Sequence, residues 1–297
     1  MTAKRYLFLL NPRGGHRKAH AVAAQARLLL VAADAQIDVR ETRAAGEAAE
    51  IVRDHALEGL EAVCVVGGDG TLHEAVNGMM ARPRASRIPL ALLPAGTGNT
   101  VAQHLNLLDL PTAVNRLLTG SARPLDLLRV TTAGAEEYCI NIVGWGAAVE
   151  INRRAESWRR IGSARYALAA LTYIAGARRF PVTLTLDGAT QSDAFMMVLA
   201  CNTKYTGRDM RMAPQAEMDD GLMDVICVRK ASRLQLLSLF ARVFDGSHTR
   251  LTCVECCRVR SLRLENPQPD DLNLDGELKR RTPVSIELVP AALSFVL

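Results

Sequence analysis

Residues Ala62 to Val66 form an unbroken apolar run, and Gly67-Gly68-Asp69-Gly70-Thr71 follows with no spacer. A short apolar run bounded by glycines reads as a fully buried strand, the kind found in parallel sheets covered on both faces. A helix reads from about Leu72 to Met80. The join between the two restricts the backbone. Glycines let N–H groups approach an anionic oxygen with no Cβ in the way. The helix start adds unpaired donors and a dipole that favours anions. Asp69 would repel a bare anion, so it either orients the loop or sits near a metal that bridges phosphates. No Gly-Lys-Ser/Thr follows, so the loop is not a Walker A motif. The bland alternative is an ordinary strand-to-helix turn.

The surrounding chain repeats the pattern. Tyr6 to Leu10 is apolar and runs into Asn11-Pro12-Arg13-Gly14-Gly15. His16 to Ala33 and Gly46 to Leu57 have helical spacing, and Gln36 to Glu41 alternates. Pro89 to Leu93 is a further strand, followed by Pro94-Ala95-Gly96-Thr97-Gly98-Asn99 and another helix. Repeated strand–turn–helix units predict a parallel sheet with ligands bound where strand ends meet helix starts. Three glycine-bearing loops at one sheet edge are a stronger signal than any one of them. After Arg123-Pro124 strand-like runs follow one another: Leu125 to Thr131, Tyr138 to Val143, Val182 to Leu186, Ala194 to Cys201, Met223 to Val228, Cys253 to Leu264 and Val284 to Leu288. Helical stretches at about Glu150 to Arg178 and Ser232 to Phe244 interrupt them. This predicts a second, mainly antiparallel domain. The expected division is 1–124 and 125–288, with 289–297 a candidate return to the first domain.

Composition narrows the function classes. Of 297 residues 49% are hydrophobic and 23% charged, so the chain can build cores and is not disordered. Aromatics at 4% argue against a stacking platform for nucleic acid. The net charge of +5 suits a phosphate-bearing ligand or an anionic membrane surface. No apolar run approaches the ~18–20 residues of a spanning helix, and Met1 to Leu10 does not read as a signal peptide. A cytoplasmic location is the expectation. Seven cysteines agree with it: Cys64, Cys139, Cys201 and Cys227 sit singly in apolar runs. Cys253, Cys256 and Cys257 contain half a zinc spacing, but the other half is missing and the run alternates like a strand.

Taken together, Asn11-Pro12 with Gly15, the Gly67–Thr71 loop with Glu74 and Asn77-Gly78, and Leu93 to Asn99 resemble the diacylglycerol-kinase catalytic domain. Ala213-Pro214 through Asp219-Asp220-Gly221-Leu222-Met223-Asp224 and the late Leu274-Asp275-Gly276-Glu277 extend the likeness across most of the chain. That superfamily contains bacterial diacylglycerol kinases, YegS-like lipid kinases, sphingosine kinases and ceramide kinases. The resemblance implies a Rossmann-like parallel α/β nucleotide-binding domain followed by an antiparallel β-sandwich, the NAD kinase/diacylglycerol kinase-like plan. It implies ATP and Mg2+, a lipid substrate met at the membrane surface, peripheral membrane association and no nucleic acid. It leaves a homodimer open. It carries nucleotide contacts to Asn11, Thr42, Gly67, Gly68, Asp69, Gly70, Thr71, Leu72, His73, Gly96, Thr97 and Asn99. Asp275 becomes the general base that takes the proton of the lipid hydroxyl as it attacks the γ-phosphate. Glu277, two residues on, is placed on the same strand face to support magnesium. A second, structural magnesium is implied at Glu217, Asp220 and Leu222. Read without the resemblance, Asp275-Gly276 is also a common hairpin turn and Asp219-Asp220-Gly221 an ordinary solvated one.

Two positions depart from the family pattern. Thr100 stands where bacterial diacylglycerol kinases usually carry Asp, and Gly14 where Ser is frequent. The segment from Gly144 through Glu150, Trp158-Arg159-Arg160 and Arg165-Tyr166 resembles the region where sphingosine kinases carry acidic residues for an amine-bearing lipid. The acidic positions fall at Glu150 and Asn152. Glu150 is either a partner for a sphingoid ammonium or a helix N-terminal surface acid. Arg153, Arg154, Arg159, Arg160 and Arg165 are either a headgroup contact or a solvated face. The competing functions are an NAD-kinase-like enzyme, which also uses a Gly-Gly-Asp-Gly-Thr loop, and a non-catalytic lipid- or nucleotide-binding regulator.

Overall fold

The computed structural model describes residues 3–158, 164–207 and 209–297. The chain divides into two units, Met1–Leu125 with Ala291–Leu297, and Asp126–Pro290.

The first unit runs β1 (Arg5–Leu10), α1 (Ala19–Val31), β2 (Gln36–Glu41), α2 (Glu47–Asp54), β3 (Ala62–Gly67), α3 (Asp69–Met80), β4 (Leu90–Pro94), α4 (Thr100–His104) and α5 (Leu110–Thr119). The strands pair in parallel in the order β2-β1-β3-β4. Alternation along each strand supplies two apolar faces. On one, Tyr6, Phe8, Leu10, Cys64, Val66, Ala91 and Leu93 pack under Ala19, Ala23, Ala26 and Leu30 of α1 and Ala113 and Leu117 of α5. Small alanines on α1 let helix and sheet approach closely. Because the strands are parallel, their carboxyl ends share one edge, and the three glycine-bearing loops leave from it. α1 is shorter than the helical pattern from His16, since Gly14–Arg17 forms a separate 3₁₀ turn. α5 had no counterpart in the sequence reading, although Asp109 caps it by accepting from Thr112 N–H at 2.9 Å.

The chain then continues through β5 (Ala122–Thr132), β6 (Ala135–Cys139), β7 (Ile142–Gly146), α6 (Ala147–Ser157), α7 (Arg165–Ala175), β8 (Phe180–Leu186), β9 (Ala189–Phe195), β10 (Met197–Cys201), β11 (Met223–Val228), α8 (Arg233–Arg242), β12 (Val254–Val259), β13 (Ser261–Glu265), β14 (Asp271–Leu274), β15 (Glu277–Arg281) and β16 (Val284–Val296). One antiparallel sheet of the second unit has the order β12-β11-β10-β7-β14-β15. Facing it are β5, β6, β8, β9, β13 and the first part of β16. Their shared core holds Leu128, Trp145, Val198, Val225, Leu264 and Ile286. The other face of the six-stranded sheet is also covered: Ile142, Leu199, Ile226 and Val228 meet Tyr173 and Ile174 of α7 and Leu236 of α8. Burial on both faces is why β7, β10 and β11 contain no exposed residue. The expected N-terminal α/β domain and C-terminal β-sandwich are what the chain forms.

The run Cys253 to Leu264 is not one strand. It breaks at Arg260, where Asp187 accepts from the N–H groups of Arg260 (3.0 Å) and Ser261 (2.8 Å), and β12 and β13 enter different sheets. Glu150 to Arg178 likewise resolves into α6 and α7. All seven cysteines are free thiols.

Candidate active site

The three loops are stitched together by glycine contacts and one carboxylate. Gly68 and Gly96 touch backbone to backbone: a Cβ on Gly68 would lie 2.9 Å from the Gly96 Cα, and one on Gly96 would run into Gly68. Gly15, at φ +53°, leaves no room for a Cβ beside the Ala95 carbonyl. Asn11 donates from Nδ2 to Thr71 Oγ1 at 3.0 Å, joining the first loop to the second. Asn99, in the left-handed region at φ 52°, closes the third loop on itself by bonds of 2.9 and 3.0 Å to Gly96 N and O.

Asp69 sits at the head of α3, yet its carboxylate turns to the other loop. It accepts from Thr100 N–H (3.1 Å), Thr100 Oγ1 (3.2 Å) and Val101 N–H (3.3 Å), the first groups of α4. The third loop therefore does not repeat the design of the second, because the donors of its helix start are already taken. Orienting the loops is the role the geometry gives Asp69. Thr100 supplies a hydroxyl donor where a second carboxylate would face Asp69 at close range. Gly14 has ordinary space beside it, so only a hydroxyl is forgone there.

At the head of α3, Gly70 and Thr71 lie in the first turn, where N–H groups have no intrahelical acceptor. The Leu72 N–H is used on Gly68 O at 3.1 Å, and the Leu72 and His73 side chains are buried. Asn77 donates to the His73 carbonyl at 2.9 Å. Thr97 is exposed at the tip of its loop. Thr42 is buried beside β1, its N–H on Leu10 O at 2.9 Å. It lines a groove of about 670 Å³ with Pro12, Arg13, Val39, Arg40, Glu41 and Arg43. Glu74 of α3 orders the segment after Thr42 by accepting from Gly46 N–H (2.9 Å) and Ala48 N–H (3.1 Å) at the start of α2.

In the second unit Asp275 and Gly276 are the two residues of the β14–β15 hairpin turn, at φ 51° and 99°, with Leu274 paired to Glu277. Both the hairpin reading and the functional reading of Asp-Gly thus fall on the same residues. The Asp275 carboxylate is buried and clamped by three backbone donors, each at 2.9 Å: Ile140 N–H to Oδ2, and Asn141 and Ile142 N–H to Oδ1. Its own N–H returns to Ile142 O at 3.0 Å. Because the turn interrupts the strand, Glu277 does not share a strand face with Asp275. It is exposed and pairs with Lys279 Nζ at 3.0 Å.

The carboxylates named for metal are engaged by cations of the chain. Glu217 meets Lys204 Nζ at 2.6 Å. Asp220 pairs with Arg258 and also accepts from Leu222 N–H at 3.0 Å. Asp126 accepts from Gly221 N–H at 2.8 Å and pins the same turn. Arg258 and Lys204 meet two of the acids here, while Asp126 and Asp224 add further negative charge beside the turn.

Comparison with known proteins reports on the whole chain. Residues 5–130 match the diacylglycerol kinase catalytic domain, and residues 141–297 the YegS C-terminal NAD kinase beta sandwich-like domain. The chain belongs to this lipid kinase family. It is 31% identical to a diacylglycerol kinase of Mycobacterium tuberculosis over 97% of this chain and 93% of that one. It is 30% identical to human sphingosine kinase 1 over 92% of this chain and 86% of the relative. A crystal structure of a diacylglycerol kinase from Bacillus anthracis superposes with a TM-score of 0.75 at 21% identity, covering 99% of this chain and 96% of that one, a likeness of fold.

In this lipid kinase family member the acidic positions near α6 have settled partners. Glu150 pairs with Arg153 at 3.2 Å, and Arg153 also meets Asp271 at 2.7 Å. Asn152 is buried and donates to the Gly276 carbonyl at 2.6 Å, tying α6 to the Asp275 turn. Arg165 pairs with Glu156 at 3.1 Å and stacks over Tyr166, and Arg154 reaches Thr172 Oγ1 at 3.3 Å. These arginines are spent within the unit. Arg159, Arg160 and Arg208 lie outside the described residues. Among the described residues no helix is long and apolar enough to cross a membrane. Sequence reasoning missed Thr100 as the partner of Asp69, the Arg40 and Arg43 lining of the groove, and the Ile140–Ile142 clamp. Thr100 had a legible signal as a hydroxyl at a helix start. The clamp had none, since backbone donors leave no mark on residue type.

Proposed function

We propose that this family member is an ATP-dependent lipid kinase with Asp275 as general base and an uncharged lipid alcohol as acceptor. One observation carries the reading: a buried carboxylate held by three backbone N–H groups in a two-residue turn. Fixed orientation is what proton abstraction and in-line phosphoryl transfer demand of a protein. The lipid oxygen forms a bond to the γ-phosphorus as the bond from that phosphorus to the β-bridging oxygen breaks. ADP leaves, and Asp275 takes the hydroxyl proton. The N–H groups of Gly70 and Thr71 at the head of α3 supply donors for phosphate oxygens. The arginine-lined groove beside Thr42 offers room for the rest of the nucleotide. When bound, Mg2+ neutralises charge on the phosphate oxygens.

The pairing of Glu150 with Arg153 favours a neutral headgroup over a sphingoid ammonium, which would need an uncompensated carboxylate. The deciding experiment offers labelled ATP with diacylglycerol, monoacylglycerol, a sphingoid base, ceramide, undecaprenol and NAD as separate acceptors. Label in diacylglycerol, monoacylglycerol or undecaprenol supports the reading. Label in the sphingoid base alone overturns the neutral acceptor, and label only in NAD overturns the lipid kinase. A cytoplasmic enzyme that meets its substrate at the membrane surface is part of the same proposal.

A further inference from the structure

Helix α8 is apolar on two opposite faces. Leu236 and Val243 are buried beneath the six-stranded sheet, with Leu239 and Phe240 packed against the same core. On the outside, Leu234, Leu237 and Phe244 are 78%, 43% and 47% exposed. Their spacing places them in one stripe along the helix and its continuation. An apolar stripe left in water on a helix whose other face is already buried marks an interaction surface. α7 packs beside α8 and adds Leu168 and Leu171, also exposed.

Charge identifies the occupant. From Arg229 to Phe244 the sequence has Arg229, Lys230, Arg233 and Arg242 and no acidic residue. Arg229 is committed to Asp193 and Glu255, whereas Lys230, Arg233 and Arg242 are exposed. Arg178 and Arg179 follow α7 and are exposed as well. Apolar side chains rimmed by cations on one helix pair match the acyl boundary and phosphate headgroups of an anionic bilayer. This helix layer is continuous with the proposed base: α8 packs on α7, α7 on α6, and α6 holds the Asp275 turn through Asn152.

Resting on the lipid kinase reading, we propose that the outer face of α7 and α8 is the docking surface for an anionic lipid bilayer. Leu168, Leu171, Leu234, Leu237 and Phe244 enter the headgroup boundary. Lys230, Arg233 and Arg242 meet its phosphates.

The test is co-sedimentation of the full chain with phosphatidylcholine vesicles, with and without phosphatidylglycerol, across a salt series. Binding should require phosphatidylglycerol and weaken with salt. The triple variant L234Q/L237Q/F244Q should lose on the order of tenfold or more in vesicle affinity, and R233E/R242E should lose a similar factor along with most of the salt dependence. L28Q/V31Q on α1, which removes exposed apolar side chains from the first unit, should bind as the parent does. All four proteins should phosphorylate a short-chain, water-soluble diacylglycerol at one rate. Parent-like vesicle binding by both α8 variants overturns the docking face while leaving the kinase reading intact. Loss of vesicle binding through α8 in a chain that phosphorylates no lipid sinks the kinase reading and keeps the docking face. A parent dimer that L234Q/L237Q/F244Q separates without loss of vesicle binding assigns the face to a second copy and overturns the proposal.

Discussion

Asp69 and Asp275 stand in similar glycine-flanked sequences, and both carboxylates end on backbone N–H groups. Their surroundings differ. Asp69 is half-buried and spends its oxygens on the start of a short helix from a neighbouring loop. It joins the second loop to the third. Asp275 is buried, sits in a left-handed turn and is gripped by a segment more than a hundred residues away in sequence. A third carboxylate, Asp224, has no amide clamp. Its Oδ2 lacks a hydrogen bond and lies 3.5 Å from Arg258 Nε. Burial raises its pKa from 3.8 to about 6, against the lowering effect of Arg258 and with a smaller upward contribution from Asp220. The lesson is that a carboxylate's partners, rather than the motif around it, separate a brace, a candidate base and a strained buried charge.

The sharpest way to break the comparison is to neutralise each carboxylate in turn. Asp275→Asn should lower kcat on the order of 10²–10⁴-fold with nucleotide affinity retained, read by turnover and by ATP titration. Turnover within a few-fold of the parent would falsify Asp275 as the base. Gly96→Ala tests whether the loops need their contact, since the new Cβ runs into Gly68. It should cost about 1–3 kcal/mol in unfolding free energy and raise the KM for ATP more than it lowers kcat. Asp224 predicts a pH effect of defined sign. Its folded pKa lies above the unfolded one, so its stabilising contribution is complete below about pH 4 and is lost as pH rises through about 6. After allowance for screening by the part-exposed Arg258, the loss should be about 1–2 kcal/mol. Asp224→Asn should flatten that part of the stability–pH curve in denaturant titrations. The smallest effect is expected at the brace. Asp69→Asn keeps an acceptor but loses the charge at the start of α4, about 1 kcal/mol, and Thr100→Val removes one hydroxyl donor for a similar or smaller amount. A collapse of turnover in Thr100→Val comparable to that of Asp275→Asn would erase the distinction drawn between the two aspartates.

Legibility followed the balance between local and distant interactions. β1, β3, β4, β10 and β11 were readable because burial on both faces demands unbroken apolar runs. β9 (Ala-Thr-Gln-Ser-Asp-Ala-Phe) and β15 (Glu-Leu-Lys-Arg-Arg) were not, because each is a hairpin partner whose outward residues are polar. Their pairing is paid for by β8 and β14, not by their own composition. At the site, the glycines of the three loops announced themselves, as only a residue without Cβ permits that approach. The direction in which Asp69 turns, and the cations that hold Glu217 and Asp220, were hidden because those partners lie far along the chain. The basic segment near α6 was legible as charge, and of its ion pairs only Arg153–Asp271 depends on a distant part of the chain, since Glu150 and Glu156 are neighbours in sequence.

The sequence by itself determined the two-part architecture and the loops at the carboxyl edge of a parallel sheet, since hydrophobic period and glycine placement act over a few residues. It also carried enough of the motif set to indicate the family. Tertiary structure alone decided what each carboxylate does. Hydrogen bonds and desolvation depend on which groups folding brings within about 3 Å, and no local pattern encodes that distance. The same holds for the outer face of α8: the sequence shows a leucine-rich helical stretch, and only the packing of the opposite face leaves Leu234 and Leu237 in water.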